Sequence, residues 1–403
     1  MQAVLMVAGK STRTYPLTLT RPKPLLPILN RPLIEHSLDQ MVGLFDQVIL
    51  IVGYRQEMIH GRLGESYRGI RLIYQEQKEQ LGTGHAVLQA EPHIRGRFVA
   101  MNGDDLFSRV DLEKLLQVEN GALVKRVPDP SLYGVYQVNA QGLVLDLVEK
   151  PDRDLGDLAN IGCYIFLPEV FDKLRKAPLS VRGEIEIVDG ILGIAREKPF
   201  YTVPISSFWL PTGYAWDLLE HQDFFLQDLQ NDNRKTTTAG ARLQGTVRIG
   251  SDARIHPTVS IEGPALIGDR CRIAQGCRIG SGTVIGADVC LEKGAQIEGS
   301  LVMDGVRVGA NARLLHSVVG SRCSIGSRVT TVSANSDGST IQSVIKGKAI
   351  DSKRRYLGAI IADDSVIGDR CTVNAGVKIW PNQRVAADSE LVIDSMPDPA
   401  VWG

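Results

Sequence analysis

Aliphatic residues recur at every sixth position, at Ile249, Ile255, Ile261, Ile267, Ile273, Ile279, Ile285, Leu291 and Ile297. The same period restarts at Ile361 and runs through Ile367, Val373, Ile379 and Val385 to Leu391. A helix repeats every 3.6 residues and a strand every two, so neither produces a period of six. Small or β-branched residues, among them Val259, Ala265, Cys271, Cys277, Thr283, Val289 and Ala295, stand two positions earlier, and glycine often follows. This is the hexapeptide pattern of a parallel β-helix, in which each hexad is one side of a triangular coil and the aliphatic residue points inward. Fifteen such residues predict about five coils, and residues 303–329, less regular, add one or two. So narrow a coil has no room for large rings. Only three of the 23 aromatic residues lie beyond residue 230, namely Tyr356, Trp380 and Trp402, whereas 21 of the 40 glycines do.

Upstream of residue 230 the rhythm changes. Apolar runs at 3–7, 47–52 and 97–102 alternate with amphipathic stretches such as 32–45, which predicts a largely parallel sheet covered by helices. The runs at 121–127, 132–138 and 143–148 are too closely spaced for crossover helices and are expected to pair antiparallel. The expected division is an α/β domain over 1–230, a polar linker over 231–245 and a β-helix over 246–403. Lys and Arg number 45 against 46 Asp and Glu, which argues against a nucleic-acid partner. The six cysteines form no CxxC and no His pairing, so neither zinc nor a disulfide framework is expected, and Cys271 and Cys277 are read as core fillers. No apolar run approaches the ~18 residues of a membrane span, and a cytoplasmic protein is expected.

The first strand runs into AGKSTRTYPLT (8–18) and then RPKPLLPILNRPLIEH (21–36). A strand entering a glycine turn with basic residues behind it is how α/β proteins offer backbone N–H groups to phosphates. These residues resemble the G-x-G-T-R and P-K-P signature of the sugar-1-phosphate nucleotidylyltransferases. The resemblance continues through QKEQLGTGHAV (77–87), NGDDLF (102–107), LYGVY (132–136), VEKP (148–151), NIGCYIF (160–166), GEIEIVDGI (183–191) and WLPTGYAWDLLE (209–220). Joined to the hexad repeat, the chain is similar to the bifunctional sugar-1-phosphate nucleotidylyltransferase/acetyltransferase family. That family implies a Rossmann-like nucleotidyltransferase domain followed by a left-handed parallel β-helix.

The resemblance implies attack by a sugar 1-phosphate on the α-phosphorus of a nucleoside triphosphate, with pyrophosphate leaving. Arg13 would stabilise the pyrophosphate, Lys23 the α-phosphate, and Asp104 would hold Mg²⁺. Ala8, Gly9, Gln77, Gly82 and Thr83 would contact the nucleotide. Gln77 can present a donor and an acceptor to a pyrimidine edge, which favours UTP or dTTP. Gly134, Glu149, Lys150, Asn160 and Glu184 would contact the sugar phosphate.

A register break at 316–360 is expected to be the loop of a second site, where acetyl-CoA acetylates an amino sugar phosphate. The resemblance makes His316 its base, with Asn335 and Lys346 in matching surroundings, and Arg354 and Arg355 are candidates for phosphates. β-Helix domains of this kind imply a homotrimer or higher homo-oligomer.

Three positions depart from the pattern. Ser11 replaces the second glycine, Pro211 stands where a second metal-binding Asp is common, and Val319 replaces a Tyr three residues after the histidine. Asp105 and Asp217 are the nearby carboxylates that can stand in for the missing one. The departures leave open an alternative, a relative that binds nucleotide sugar as a sensor without turnover.

Overall fold

Alternate residues of strand Gln2–Met6 enter opposite cores: Ala3 and Leu5 pack with Val48, Leu50 and helix residues Ile34, Leu38 and Met41, while Val4 joins Ile49, Ile51, Phe98 and Phe166. Both faces are covered, so strand Gln47–Val52 is apolar from Val48 onward rather than alternating. The structure is a computed structural model and describes residues 1–229, 232–233 and 240–395. Met1–Lys10, Pro22–Leu25 and Leu33–Pro211 form one compact unit; Ser11–Arg21, Leu26–Pro32 and the described residues from Thr212 onward form a second.

In the first unit, Gln2–Met6 lies between Gln47–Val52 and Phe98–Asn102, parallel to both, and Ile70–Glu76 extends the sheet in parallel. Leu158–Phe166 pairs antiparallel with Phe98–Asn102 and with Gly121–Arg126. Gly134–Val138 and Val144–Glu149 form an antiparallel hairpin at one edge. The sheet is thus parallel at its centre with antiparallel additions where the short spacings predict them. Among the described residues no helix is long and apolar enough to cross a membrane.

The second unit is dominated by three parallel sheets of eight, eight and seven strands, one strand per sheet in each coil. Ile249 pairs with Ile267 and Ile267 with Ile285, a coil of eighteen residues, and all three side chains are buried. Cys271, Cys277, Cys323 and Cys371 lie in the same core.

Three expectations are corrected. First, the solenoid begins earlier than residue 246: Arg242–Gln244 pairs with Ser260–Glu262 and Asp232–Asn233 with Arg248–Ile249, so these parts of the expected linker belong to a coil. Residues 231 and 234–239 of that linker lie outside the described residues. Second, helix Asp217–Leu226 and segments Ser11–Arg21 and Leu26–Pro32 belong to the second unit, where Gln222 Nε2 donates to the Gly282 carbonyl (2.8 Å) and Asn30 Nδ2 to that of Ile285 (2.8 Å). Third, the register does not break at 316. Leu301 pairs with Val284 and Val318 with Leu301, so two further coils exist, each of seventeen residues. The excursion comes later, between Thr331 and Ile360, and contains the hairpin Gln342–Ile345/Lys348–Asp351.

Candidate functional site

Strand order diverges at Gln2–Met6, with Gln47–Val52 on one side and Phe98–Asn102 on the other. In open α/β sheets, ligands bind in the crevice beyond the carboxyl ends of such strands. Segments 7–10, 77–83 and 103–104 leave those ends. Gly103 N–H donates to the Met6 carbonyl at 3.0 Å, which holds the following Asp104 beside the first strand. Lys23 Nζ lies 2.6 Å from Asp104 Oδ2; the lysine side chain is 5% exposed and the aspartate 35%. A buried ammonium with a carboxylate at hydrogen-bond distance is a charge fixed in place.

Asp105 lies near enough to Lys23 to feel its charge, yet it is held by bonds of its own. It is buried, accepts from Trp209 Nε1 (3.4 Å) and Asn102 Nδ2 (3.5 Å), and is pushed up to about 7 by burial and by Asp104. Pro211 pairs in register with Asp105. Asp217 is also committed, accepting from the Gly213 and Tyr214 amides at 2.7 and 2.8 Å. Neither carboxylate therefore replaces the one that Pro211 lacks, and among the described residues no group of three metal-ligating side chains occurs. Asp104 alone still suits Mg²⁺, which commonly takes one or two carboxylates and completes its shell with phosphate oxygens and water.

The loop at 77–83 is built around Gly82, whose φ is +99°. A Cβ there would lie 2.7 Å from the Ile185 carbonyl and 2.9 Å from Glu184 Cβ, so the loop and Glu184 come together only because that residue is glycine. Thr83 Oγ1 accepts from the Ile187 amide at 3.3 Å. Gln77 is buried and its amide donates to the Gly82 carbonyl (3.2 Å) and contacts His85 Nδ1 (3.1 Å), so its nitrogen shapes the loop. Gln80, not singled out from sequence, donates to the Ala8 carbonyl at 2.8 Å and ties this loop to the 7–10 turn, where Gly9 is exposed. Nothing in its residue type distinguishes it from its polar neighbours.

Gly134 and Glu149 are paired across the edge hairpin, and Asn160 sits on the strand beside it. Asn160 Oδ1 accepts from Tyr164 Oη (2.9 Å) and the Gly162 amide (3.2 Å). Burial raises the Glu149 carboxyl, and Lys150 opposes the rise. Lys150 itself turns at φ +44°, its amide donating to the Tyr133 carbonyl at 3.0 Å. Of the residues expected to read the sugar, Gly134, Glu149 and Asn160 thus lie on neighbouring strands and Lys150 directly follows one of them, whereas Glu184 lies in a loop against Gly82.

In the second unit, Ser11 adopts φ 52°, the left-handed conformation that its side chain disfavours, and its carbonyl accepts from Thr14 Oγ1 (2.7 Å) and Thr18 Oγ1 (3.1 Å). Arg13 is exposed, with its guanidinium 5.8 Å from the ring centre of Tyr214. On a corner of the solenoid, Asp223, Ser281, Gly282, Gly299, His316, Arg354, Arg355 and Tyr356 line a cavity of about 370 Å³. His316 stands one coil beyond Gly299, where a Cβ would lie 2.4 Å from its Nδ1, and its ring stacks on Tyr356 at 5.1 Å. Burial holds the imidazole below its usual 6.5. Asn335 and Lys346 lie elsewhere: Asn335 Nδ2 bonds Ser339 and Thr340 within its own loop, and Lys346 occupies the turn of the excursion hairpin. The structure does not bring them to His316 within one chain.

The profile of the nucleotidyl transferase family matches residues 2–228. The chain belongs to the nucleotidyl transferase family. A GMPPB C-terminal domain profile matches residues 261–391 of the solenoid. Among relatives of this nucleotidyl transferase, the bifunctional protein GlmU of Methanococcus vannielii is 30% identical over 400 residues, covering 96% of this chain and 94% of that protein. The bifunctional sugar-1-phosphate nucleotidylyltransferase/acetyltransferase of Sulfurisphaera tokodaii is 27% identical, covering 96% of both chains. A crystal structure of UDP-glucose pyrophosphorylase complexed with UDP-glucose superposes with a TM-score of 0.51 at 25% identity, covering 56% of this chain and 98% of that one.

Within the nucleotidyl transferase chain, the departure at Val319 has a structural counterpart. Val319 points into the solenoid core between Val302 and Ile361, and the aromatic partner of His316 is Tyr356 instead.

Proposed function

We propose that the chain transfers a nucleotidyl group, from UTP or dTTP, to a sugar 1-phosphate with release of pyrophosphate, and that its solenoid acetylates an amino sugar phosphate from acetyl-CoA. The observation that carries the first activity is the buried Lys23 held 2.6 Å from Asp104 at the carboxyl ends of the diverging strands. A sensor has less use than an enzyme for charge directed at the reacting phosphates, so this pair favours turnover over the binding-only alternative.

A sugar 1-phosphate oxygen attacks the α-phosphorus, a new P–O bond forms, and the bond to the β-phosphate breaks. Neither reactant needs a protein nucleophile, so catalysis rests on in-line positioning and charge. Lys23 meets the α-phosphate, Arg13 the departing pyrophosphate, and the amides of Ala8 and Gly9 the remaining phosphate oxygens. Gln77, Gly82 and Thr83 form the wall against the base; Gly134, Glu149, Lys150, Asn160 and Glu184 bind the sugar phosphate. Asp104 would hold Mg²⁺, which supplies charge neutralisation when bound.

In the second activity His316, held in its base form by burial, takes a proton from the acceptor ammonium and so frees the lone pair that attacks the thioester carbonyl. The C–N bond forms, the C–S bond breaks, and the coenzyme A thiolate leaves and takes up the second proton that the new amide nitrogen sheds. Asn335 and Lys346 would reach such a site from a neighbouring subunit, which accords with the expected trimer.

The test is pyrophosphate release with Mg²⁺ over a matrix of triphosphates and sugar 1-phosphates, with thiol release from acetyl-CoA followed in parallel. Turnover with UTP or dTTP is expected; tight nucleotide-sugar binding with no turnover selects the sensor.

A further inference from the structure

The corner cavity contains a residue that belongs to no repeat of the solenoid. Asp223 comes from helix Asp217–Leu226, and its Oδ1 approaches the Gly282 position so closely that a Cβ there would lie 3.2 Å away. Gly282 and Gly299 recur at the same corner in successive coils, and their missing side chains clear the space that Asp223, His316 and Tyr356 surround. Arg354 Nη2 lies 3.9 Å from Asp223 Oδ2, too far for a hydrogen bond, so the two charges face the cavity without being locked together. With Arg355 the lining carries two guanidinium groups, one carboxylate and one imidazole.

We propose that Asp223 selects the acetyl acceptor, taking the ammonium of an amino sugar phosphate while Arg354 and Arg355 take its phosphate. The proposal rests on the reading of His316 as the acetyl-transfer base. Three observations support it. The charges of the lining, two positive and one negative, mirror those of a ligand bearing an ammonium and a phosphate dianion. The cavity volume of about 370 Å³ falls within the range usual for small-molecule sites. The Asp223 side chain is half exposed and so open to a ligand, and its carboxyl, pushed up to about 6 against the pull of Arg354, is favoured in its charged form by a cation beside it. A neutral sugar phosphate would satisfy the arginines and leave Asp223 facing a hydroxyl. Asp223 thus acts as a specificity determinant, and it sits on a helix that ends the match to the nucleotidyl transferase profile rather than on the solenoid itself.

The test uses the intact chain labelled with ¹⁵N-histidine, with the His316 ring signal identified by its loss in His316→Gln. Glucosamine 1-phosphate and glucose 1-phosphate are titrated separately without acetyl-CoA. Glucosamine 1-phosphate is expected to move the His316 signal with a Kd roughly tenfold lower than glucose 1-phosphate, a difference of about 1.4 kcal/mol. In Asp223→Asn the two constants should converge, and in Arg354→Gln both should weaken. Equal constants in the parent, no movement of the His316 signal, or an undiminished preference in Asp223→Asn would overturn the proposal. Thiol release separates the two claims: its absence in a parent that still prefers the amine defeats only acetyl transfer, and its presence with an unchanged acceptor KM in Asp223→Asn defeats only the role of Asp223.

Discussion

Ser11 and His316 both sit at positive φ, at 52° and 47°, and in both the cost of a side chain there is offset by backbone bonding. The Ser11 carbonyl collects bonds from two threonine hydroxyls, while the His316 amide donates to Glu298 and its carbonyl accepts from Gly358, each at 2.8 Å. The left-handed turn at Ser11 was foreseeable, because the residue replaces a glycine in a known signature. That Gln77 would spend its amide nitrogen on its own loop was not, since one residue type serves base recognition and loop closure equally well. For His316 the direction of its shift fixes a pH dependence. Burial lowers the imidazole below 6.5, so the base form persists into mild acid, and the acid limb of kcat/KM for acetyl transfer should fall below pH 6.5. A limb above that value, measured with saturating acetyl-CoA, would contradict a desolvated base.

At the scale of one coil, the two seventeen-residue turns are each a residue short at the corners holding Ser300 and Ser317. Both serines are fully buried, and their hydroxyls replace bonds that the shortened turn cannot make. Ser300 Oγ donates to the Glu298 carbonyl (2.7 Å) and accepts from the Ser317 amide (3.0 Å); Ser317 Oγ donates to the Leu315 carbonyl (2.8 Å) and accepts from the Ala359 amide (3.1 Å). These deletions also explain what the periodicity hid. A strict count of six loses its register at Ile297 although the inward column continues through Val302, Val308, Leu314, Val319 and Ile325. Ser317→Ala leaves the buried Ala359 amide without its serine partner, the Leu315 carbonyl keeping Thr331 Oγ1 at 3.3 Å, and should cost about 1–3 kcal/mol in chemical denaturation. A loss below about 0.5 kcal/mol would mean that the corner relaxes around the gap.

At the scale of the whole chain, composition drew its boundary near residue 230, yet the second unit takes in Ser11–Arg21, Leu26–Pro32 and the helix Asp217–Leu226. The reason is specific contacts that no local pattern encodes. Arg21 forms an ion pair with the buried Asp363, which also accepts from Thr20 Oγ1 (2.7 Å) and the Ser321 amide (2.7 Å). The segment carrying Arg13 is thereby anchored to a solenoid coil. Asp363→Ala leaves Arg21 and the Ser321 amide without their carboxylate and should cost about 3 kcal/mol in chemical denaturation. A loss below about 0.5 kcal/mol would show that this contact does not hold the segment to its coil.

The central claim is that two separate chemistries reside in one chain, one depending on Lys23 and the other on His316. Pyrophosphate release and acetyl-CoA thiol release, measured side by side on Lys23→Ala and His316→Ala, test it most directly. Lys23→Ala should lose at least about a hundredfold in pyrophosphate release and keep thiol release, with His316→Ala showing the reverse. A folded variant in which both activities fall together, or a parent chain that binds nucleotide sugar without turning over either substrate pair, would contradict it.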